Sequence, residues 1–184
     1  TAGLRGALGP GPNRMNRALV LRVSSAVGHY VQDQVAGAHD RGVVVAYDGR
    51  HGSERFAIDS VEVLGALGYR VYLFDTVIPT PCLAHAVKYM QAAAGIMVTA
   101  SHNPPQDNGY KVFWGDGAQI VPPHDLGISA RLDAISDSGS IPRRSIDELR
   151  AEGRVTSPPD AVHAAYAAEV DALRVYSGES SIRI

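Results

Sequence analysis

Short β-branched runs alternate with amphipathic helical segments over the first hundred residues, and this alternation limits the possible folds more than any other feature. The helical periodicity covers a segment that Asn13 can cap and that ends near Asp40, then 53–67, then a helix that opens at Thr80. Three runs between them are typical of buried strands: 43–47, 69–74 and 94–98. Strands that alternate with helices of this length form right-handed crossovers. The sequence therefore predicts an α/β fold, with a mainly parallel sheet sandwiched between helices.

The remaining segments complete the predicted organisation. A hairpin that joins 110–114 to 119–121 around Gly115 and Gly117 would add an antiparallel edge to the sheet. The other predictions are a loop at 1–12, a helix from 123 to about 136, a polar connection with little core at 137–160, and a helix at 161–175. We accordingly assign residues 1–160 to one domain and 161–184 to the start of a second.

Composition excludes several classes of protein. The net charge of -2 gives no basic excess for a nucleic acid partner, and no apolar run approaches the length that spans a membrane. Hydrophobic residues make up 45% of the chain and charged residues 20%, as in ordinary globular proteins. Cys82 is the single cysteine and no Cys/His pair has zinc-ligand spacing, so we expect a reducing, cytoplasmic location and no zinc.

The segment T-A-S-H-N-P-P at 99–105 carries the strongest chemical signal. Ser101 follows a predicted strand, and the tandem prolines after it exclude helix and stiffen the loop. A stiff loop suits a serine that carries a phosphate, because phosphoryl transfer depends on positioning and charge neutralisation. Thr99, His102 and Asn103 supply polar groups beside the serine. On its own, such a motif is more often a surface turn, so its meaning depends on the rest of the chain.

Three basic residues are candidates to accompany this serine. Arg5 lies in a glycine-punctuated segment and Arg50 in the loop after the 43–47 strand, where either could grip phosphate oxygens, while Ser53 could cap the next helix. Lys111 is one of two lysines, with Lys88, and is a candidate general acid/base because lysine loses its proton when desolvated near other cations. Each segment alone is also typical of an ordinary loop or strand end.

Taken together, three motifs resemble the α-D-phosphohexomutases, the phosphoglucomutase/phosphomannomutase family. They are T-A-G-L-R-G at 1–6, Y-D-G-R-H-G-S at 47–53 and T-A-S-H-N-P-P-Q-D-N-G-Y-K-V at 99–112, and the resemblance covers residues 1–114. It implies the first of four domains around a cleft, with Ser101 as phosphoserine and Lys111 as general acid/base. It also implies that Arg5 and His102 lie beside the phosphate, and that a phosphoserine oxygen binds Mg²⁺ with three aspartates of a D-G-D-x-D-R loop.

The sequence departs from the family pattern in one major respect. No D-G-D-x-D-R loop is present, so Ser101 is the only expected metal ligand here, and the sugar-recognition and second phosphate loops are absent too. We therefore expect a first domain with the first helix of the second, inactive alone. The implied activity is a phosphomannomutase/phosphoglucomutase isomerase of carbohydrate metabolism that acts on a phosphosugar through a bisphosphorylated sugar intermediate. Alternatives are a phosphopentomutase of the same family and a non-catalytic phosphosugar-binding module. A serine hydrolase is disfavoured because no G-x-S-x-G elbow surrounds Ser101.

Overall fold

Residues 3–175 are the part of the chain that this computed structural model describes, and they form six strands and seven helices. In chain order these are β1 (Gly3–Ala7), α1 (Arg17–Gln34), α2 (Ala38–Arg41), β2 (Val43–Tyr47), α3 (Ser53–Ala66), β3 (Val71–Leu73), α4 (Thr80–Tyr89), β4 (Ala94–Val98), β5 (Asp107–Trp114), α5 (His124–Ala134), α6 (Ile146–Ala151), β6 (Val155–Thr156) and α7 (Ala161–Ala172). None of these helices is long and apolar enough to cross a lipid bilayer.

All six strands join one mixed sheet in the order β1-β5-β4-β2-β3-β6. Strands β4, β2, β3 and β6 run parallel, whereas β5 is antiparallel to both β4 and β1. The α/β class is therefore confirmed, and the sheet does have an antiparallel edge. That edge is made by β1 and β5 rather than by the predicted hairpin, because the turn after Trp114 leads to only an isolated bridge between Phe113 and Gln119.

Helices cover both faces of the sheet, as predicted. Successive side chains of a strand point to opposite faces, and β2 shows both layers. Val43 and Val45 pack in the core formed with α1 and α3, whereas Val44 and Ala46 pack in the core formed with α4. Every residue of β2 and β4 is buried, which explains why both strands read as continuous apolar runs.

The N-terminal segment differs from its prediction as a loop. Residues 3–7 form the edge strand β1, in which Gly3 pairs with Lys111 and Arg5 with Gly109. Gly3 is required there, since a Cβ would lie 2.3 Å from the carbonyl oxygen of Tyr110. The glycines therefore allow close strand pairing instead of a flexible arm. Thr1 and Ala2 lie outside the described residues.

Helix α1 is shorter at both ends than its periodicity predicts. Its cap is Asn16 instead of Asn13, because the Asn16 side chain accepts a 3.0 Å hydrogen bond from the Leu19 amide. It ends at Gln34, and the chain turns through Gly37 in the left-handed region before the short α2. The predicted cap and the predicted end near Asp40 were both wrong.

The segment at 137–160 contributes more to the core than its polar composition predicts. Helix α6 places Leu149 in the main core, fully buried, and β6 adds Val155 at the far edge of the sheet. The prediction of a connection with little core was therefore wrong. Helix α7 then packs on α4 through the buried Val162. The division at residue 160 stays a prediction, and 176–184 lie outside the described residues.

Candidate active site

The loop from Thr99 to Gln106, which we call the serine loop, joins β4 to β5 at one end of the sheet. The neighbouring parallel strand β2 ends beside it, because Tyr47 pairs with Val98 and the Asp48 amide donates to the Val98 carbonyl at 3.2 Å. Carboxyl ends of adjacent parallel strands commonly form ligand sites in α/β sheets. The β2–α3 loop and the serine loop therefore meet at the position where chemistry is expected.

Ser101 is exposed on the serine loop and has a left-handed backbone with φ of +58°. Its amide donates a 2.8 Å hydrogen bond to the Thr99 hydroxyl oxygen, which stabilises this conformation. The Ser101 hydroxyl lies 3.3 Å from Nδ1 of His102, which is also exposed. The Ser101 hydroxyl is thus presented to solvent by a fixed backbone.

Asp48 connects the two loops. One carboxylate oxygen accepts the Thr99 hydroxyl at 2.6 Å, and the other accepts the Ser53 hydroxyl at 2.7 Å and the Arg50 amide at 3.1 Å. No role was predicted for Asp48 from the sequence. Its position directly after a buried strand could have indicated one, because an aspartate there lies next to the loop that follows the neighbouring parallel strand.

Arg50 extends its guanidinium beneath the serine loop instead of toward solvent. It donates to four backbone carbonyls, those of Ser101 (2.7 Å), Asn103 (2.6 Å), Pro104 (2.8 Å) and Asp107 (3.2 Å). Its Nε also lies 3.4 Å from the Asp48 carboxylate. The side chain therefore holds the loop, and a contact between Arg50 and a phosphate stays a prediction.

Ser53 and Asn108 form a buried support under this arrangement. Ser53 is the first residue of α3, and Gly52 with φ of +79° is the cap, so the prediction of Ser53 as cap was wrong. The Asn108 amide donates to the Ser53 hydroxyl and to the His51 carbonyl, each at 3.0 Å. No signal in the sequence alone separates Asn108 from a surface asparagine, since its burial depends on the packing of β5.

Arg5 approaches the serine loop from β1. It is exposed and donates a 2.9 Å hydrogen bond to the Asn103 side-chain oxygen, while the Asn103 nitrogen donates to Asp107 at 2.9 Å. The strand pairing that was missed in the sequence is what brings Arg5 to the loop. Asn103 is thereby fixed in orientation, and its predicted contact with phosphate, like that of the buried Thr99, stays a prediction.

Lys111 lies half-buried on β5, where it pairs with Gly3 of β1. Gly3 is two residues before Arg5 on β1, so Lys111 and Arg5 lie on the same face of the sheet. Burial lowers the pKa of its ammonium group, the positive charge of Arg5 lowers it further, and the Asp48 carboxylate acts in the opposite direction. A lysine with a lowered pKa can exchange a proton with a sugar hydroxyl. The structure thus brings Ser101, His102, Arg5 and Lys111 to the same end of the sheet.

The predicted magnesium site requires carboxylates, and two lie near Ser101. Asp48 and Asp107 already accept hydrogen bonds within the loops, and residues 3–175 contain no group of three His, Cys, Asp or Glu side chains placed to hold an ion. These residues therefore do not assemble a magnesium centre by themselves. In the same range no carboxylate hydrogen-bonds His102, so a hydrolase triad is not assembled either.

Comparison with known proteins assigns the family. The model for phosphoglucomutase/phosphomannomutase, alpha/beta/alpha domain I, matches residues 1–138. Human phosphopentomutase is 42% identical over 139 residues, which cover 72% of this chain and 23% of that protein. The Haemophilus influenzae protein named probable phosphomannomutase is 42% identical over 127 residues, covering 66% of this chain and 25% of its own.

A solved structure agrees with these sequence matches. A Thermus thermophilus protein with a provisional phosphomannomutase name superposes with a TM-score of 0.73 at 28% identity, covering 96% of this chain and 37% of that one. The chain spans about a quarter of the length of the curated relatives it matches. Because the family model covers most of the chain and includes all three motifs, the chain belongs to the phosphoglucomutase/phosphomannomutase family, with residues 1–138 as its domain I.

Proposed function

We propose that the full-length gene product is a phosphomutase that interconverts a sugar 1-phosphate and a sugar 6-phosphate, with Ser101 as the phosphate carrier. The observation that carries this proposal is the exposed Ser101 hydroxyl on a loop whose backbone is fixed by Thr99 and Arg50. Phosphoryl transfer gains most from such positioning, because the protein has little covalent chemistry to perform.

The reaction we propose uses the residues at this end of the sheet. The sugar hydroxyl loses its proton to neutral Lys111 as its oxygen bonds to the phosphorus of phosphoserine, and the bond from phosphorus to the Ser101 oxygen breaks. His102, 3.3 Å from that oxygen, returns a proton to it. Arg5 neutralises charge on the phosphoryl oxygens. Transfer in the reverse sense from the other phosphate of the bisphosphorylated sugar restores phosphoserine.

Magnesium remains part of the proposal for the whole protein. We propose that an oxygen of the phosphate on Ser101 binds Mg²⁺ together with carboxylates from outside this chain. Bound there, the ion would neutralise phosphate charge. A cytoplasmic location also belongs to the proposal, because Cys82 is a free, buried thiol. The chain of 184 residues alone is proposed to be inactive.

The sugar is proposed from similarity alone. We favour a hexose phosphate, mannose or glucose, in keeping with the name of the family. A pentose phosphate is the second candidate, and the 42% identity to human phosphopentomutase over 139 residues favours it. None of the described residues that we assign to the site discriminates between sugars, since Lys111 acts on a hydroxyl group that all the candidate sugars have and the others act on the serine loop or on phosphate.

A Ser101→Ala substitution in the full-length gene product tests the proposal. Mutase activity is measured with mannose, glucose and ribose 1-phosphates, and the preferred sugar is the one with the highest kcat/KM. We expect the wild type to act on one of them and Ser101→Ala to lose the activity. Activity that survives this substitution overturns the proposal, and a wild type that binds phosphosugars without converting them identifies the non-catalytic alternative.

A further inference from the structure

The hydroxyl group of Thr99 is a relay between a carboxylate and the backbone of Ser101. Thr99 is 4% exposed, so water does not compete for its hydrogen bonds. The hydroxyl donates to Asp48 at 2.6 Å and accepts from the Ser101 amide at 2.8 Å. A hydroxyl carries a single hydrogen, which here is directed at Asp48 and leaves the oxygen lone pairs for the amide.

The carboxylate of Asp48 sets the direction of the hydrogen bonds that Thr99 makes. A carboxylate only accepts hydrogen bonds, so it orients the Thr99 hydrogen toward itself. The other carboxylate oxygen is fixed by Ser53 and by the Arg50 amide, which prevents the group from rotating. Because the Thr99 hydroxyl donates its hydrogen to Asp48, its oxygen is left to accept the hydrogen bond from the Ser101 amide.

The left-handed conformation of Ser101 is what the relay stabilises. A non-glycine residue in a sparsely populated region of this kind is strained and persists only where its surroundings determine it. The Thr99 oxygen holds the amide of Ser101, and the Arg50 guanidinium holds its carbonyl at 2.7 Å. The β2–α3 loop thus fixes the Ser101 carbonyl directly through Arg50, and the Ser101 amide indirectly through the Thr99 hydroxyl that Asp48 orients.

We propose that Asp48 and Thr99 are positioning residues for phosphoryl transfer at Ser101, with Asp48 orienting the Thr99 hydroxyl so that it holds the Ser101 amide. This inference rests on the proposed function, since it concerns how Ser101 is held for that reaction. Neither residue is required to touch the sugar. Removal of the relay lowers the rate of transfer without weakening sugar binding to the same extent, because misplacement by about 1 Å costs about 10²-fold in rate.

The test compares three variants of the full-length gene product. Thr99→Val keeps the shape of the side chain and removes the hydroxyl, whereas Thr99→Ser keeps the hydroxyl. Asp48→Asn presents an amide that can donate to Thr99, which turns the Thr99 hydrogen toward the Ser101 amide and sets two donors against each other. We expect kcat to fall by about 10²-fold in Thr99→Val and Asp48→Asn with little change in KM, and Thr99→Ser to stay within about tenfold of wild type.

A second readout separates positioning from loss of the fold. Dephosphorylated enzyme is mixed with a sugar bisphosphate, and the rate at which Ser101 gains phosphate is followed by intact mass. This rate is expected to fall in parallel with kcat while the thermal unfolding midpoint stays near wild type. Thr76→Val makes the same chemical change at an exposed threonine and should change neither rate.

The outcomes distinguish this inference from the proposed function. An active, phosphorylated wild type together with an unchanged kcat in Thr99→Val overturns the relay and leaves the mutase proposal standing. Equal losses in Thr99→Val and Thr99→Ser also overturn it, because the hydroxyl would then not be the determinant. A wild type that has neither mutase activity nor phosphoserine overturns the proposed function itself.

Discussion

At the scale of single residues, Ser101 and Gln91 are the two non-glycine residues of the range 3–175 that have a left-handed backbone. Gln91 follows the end of α4, where a left-handed residue is common. Ser101 follows no helix, and its conformation is held by two hydrogen bonds, one that its amide donates to Thr99 and one that its carbonyl accepts from Arg50. The backbone strain at Ser101 is therefore associated with the candidate active site and not with a helix end.

Lys111 gives the first prediction at this scale. In the full-length gene product, Lys111→Met should lower kcat by about 10²–10⁴-fold, the usual contribution of a general acid/base, with a much smaller change in KM. The methionine retains the length of the side chain and removes the proton. Steady-state kinetics on the preferred sugar phosphate measure the effect, and an unchanged kcat would rule out the proposed role.

The interaction between Arg5 and Lys111 gives a prediction about pH. The pKa of Lys111 is lowered by burial and by the charge of Arg5, so Arg5→Gln should raise it by removing the second cause. Because Lys111 must be neutral to accept a proton, the acidic limb of the kcat profile then moves to higher pH. NMR titration of labelled lysine side chains in the chain of 184 residues, which has only two lysines, follows the pKa of Lys111 directly. A Lys111 titration that is the same in both proteins contradicts the assigned electrostatic contact.

At the scale of elements, the packing of α6 on α3 is a close helix contact that the sequence did not indicate. A Cβ at Gly65 would lie 2.4 Å from Cδ1 of Leu149, which is fully buried. This contact anchors a helix of six residues, three of which are charged, because one leucine fills a space that glycine leaves open. The interaction is therefore specific to this pair of residues.

Gly65→Ala tests that contact through the sign of its effect. Alanine in a helix interior normally gains about 0.5–1 kcal/mol over glycine, whereas overpacking a core costs about 1–3 kcal/mol. We expect a net loss in the free energy of unfolding, measured by urea denaturation. In a Leu149→Ala background, which itself costs about 2–5 kcal/mol, the same change should be neutral or stabilising. An equal effect in both backgrounds would show that the two residues do not compete for space.

The same elements show which parts of the fold can be predicted from sequence. Strands β2 and β4 were predicted with their observed bounds, because a strand buried on both faces is apolar at every position. Strand β1 could not be predicted, since its glycines favour a loop and only the pairing with β5 makes the segment a strand. Helix α6 was not predicted because it has only six residues and depends on the packing of Leu149 against Gly65.

In the candidate site, too, local features could be predicted and contacts between distant segments could not. Local motifs predicted Ser101, Lys111 and Arg5 as site residues, and the structure places them at one end of the sheet. The roles of Asp48 and Arg50 in holding the serine loop were not predicted, because they arise from contacts between loops some fifty residues apart. A motif indicates which residues belong to a loop, whereas the support of that loop depends on the tertiary fold.

At the scale of the whole molecule, buried tyrosines make stability depend on alkaline pH. Burial raises the pKa of Tyr110 to about 12 from the ordinary value of 10.0, although its hydrogen bond with Ser24 acts in the opposite direction, and burial also raises the pKa of Tyr69. The unfolded chain then releases protons at a lower pH than the folded chain does. The stabilisation is complete below about pH 10 and is lost as the pH rises toward about 12.

The predicted consequence is a fall in the free energy of unfolding between about pH 10 and about pH 12, measured by urea denaturation at a series of pH values. Tyr110→Phe removes one of the ionisations that burial shifts, so the decline should be less steep in this variant. A decline of the same slope in both proteins would contradict the assignment to Tyr110.

The molecule as a whole provides the serine loop with its scaffold, and it spans about a quarter of the length of the curated relatives that it matches. We propose that Ser101 carries the phosphate in the full-length gene product. Peptide mass spectrometry of that protein, before and after treatment with a sugar monophosphate, follows this phosphate. We expect a phosphoryl group on Ser101 that is lost to the sugar. A protein that converts sugar phosphates but never carries phosphate at Ser101 would exclude this role for the serine.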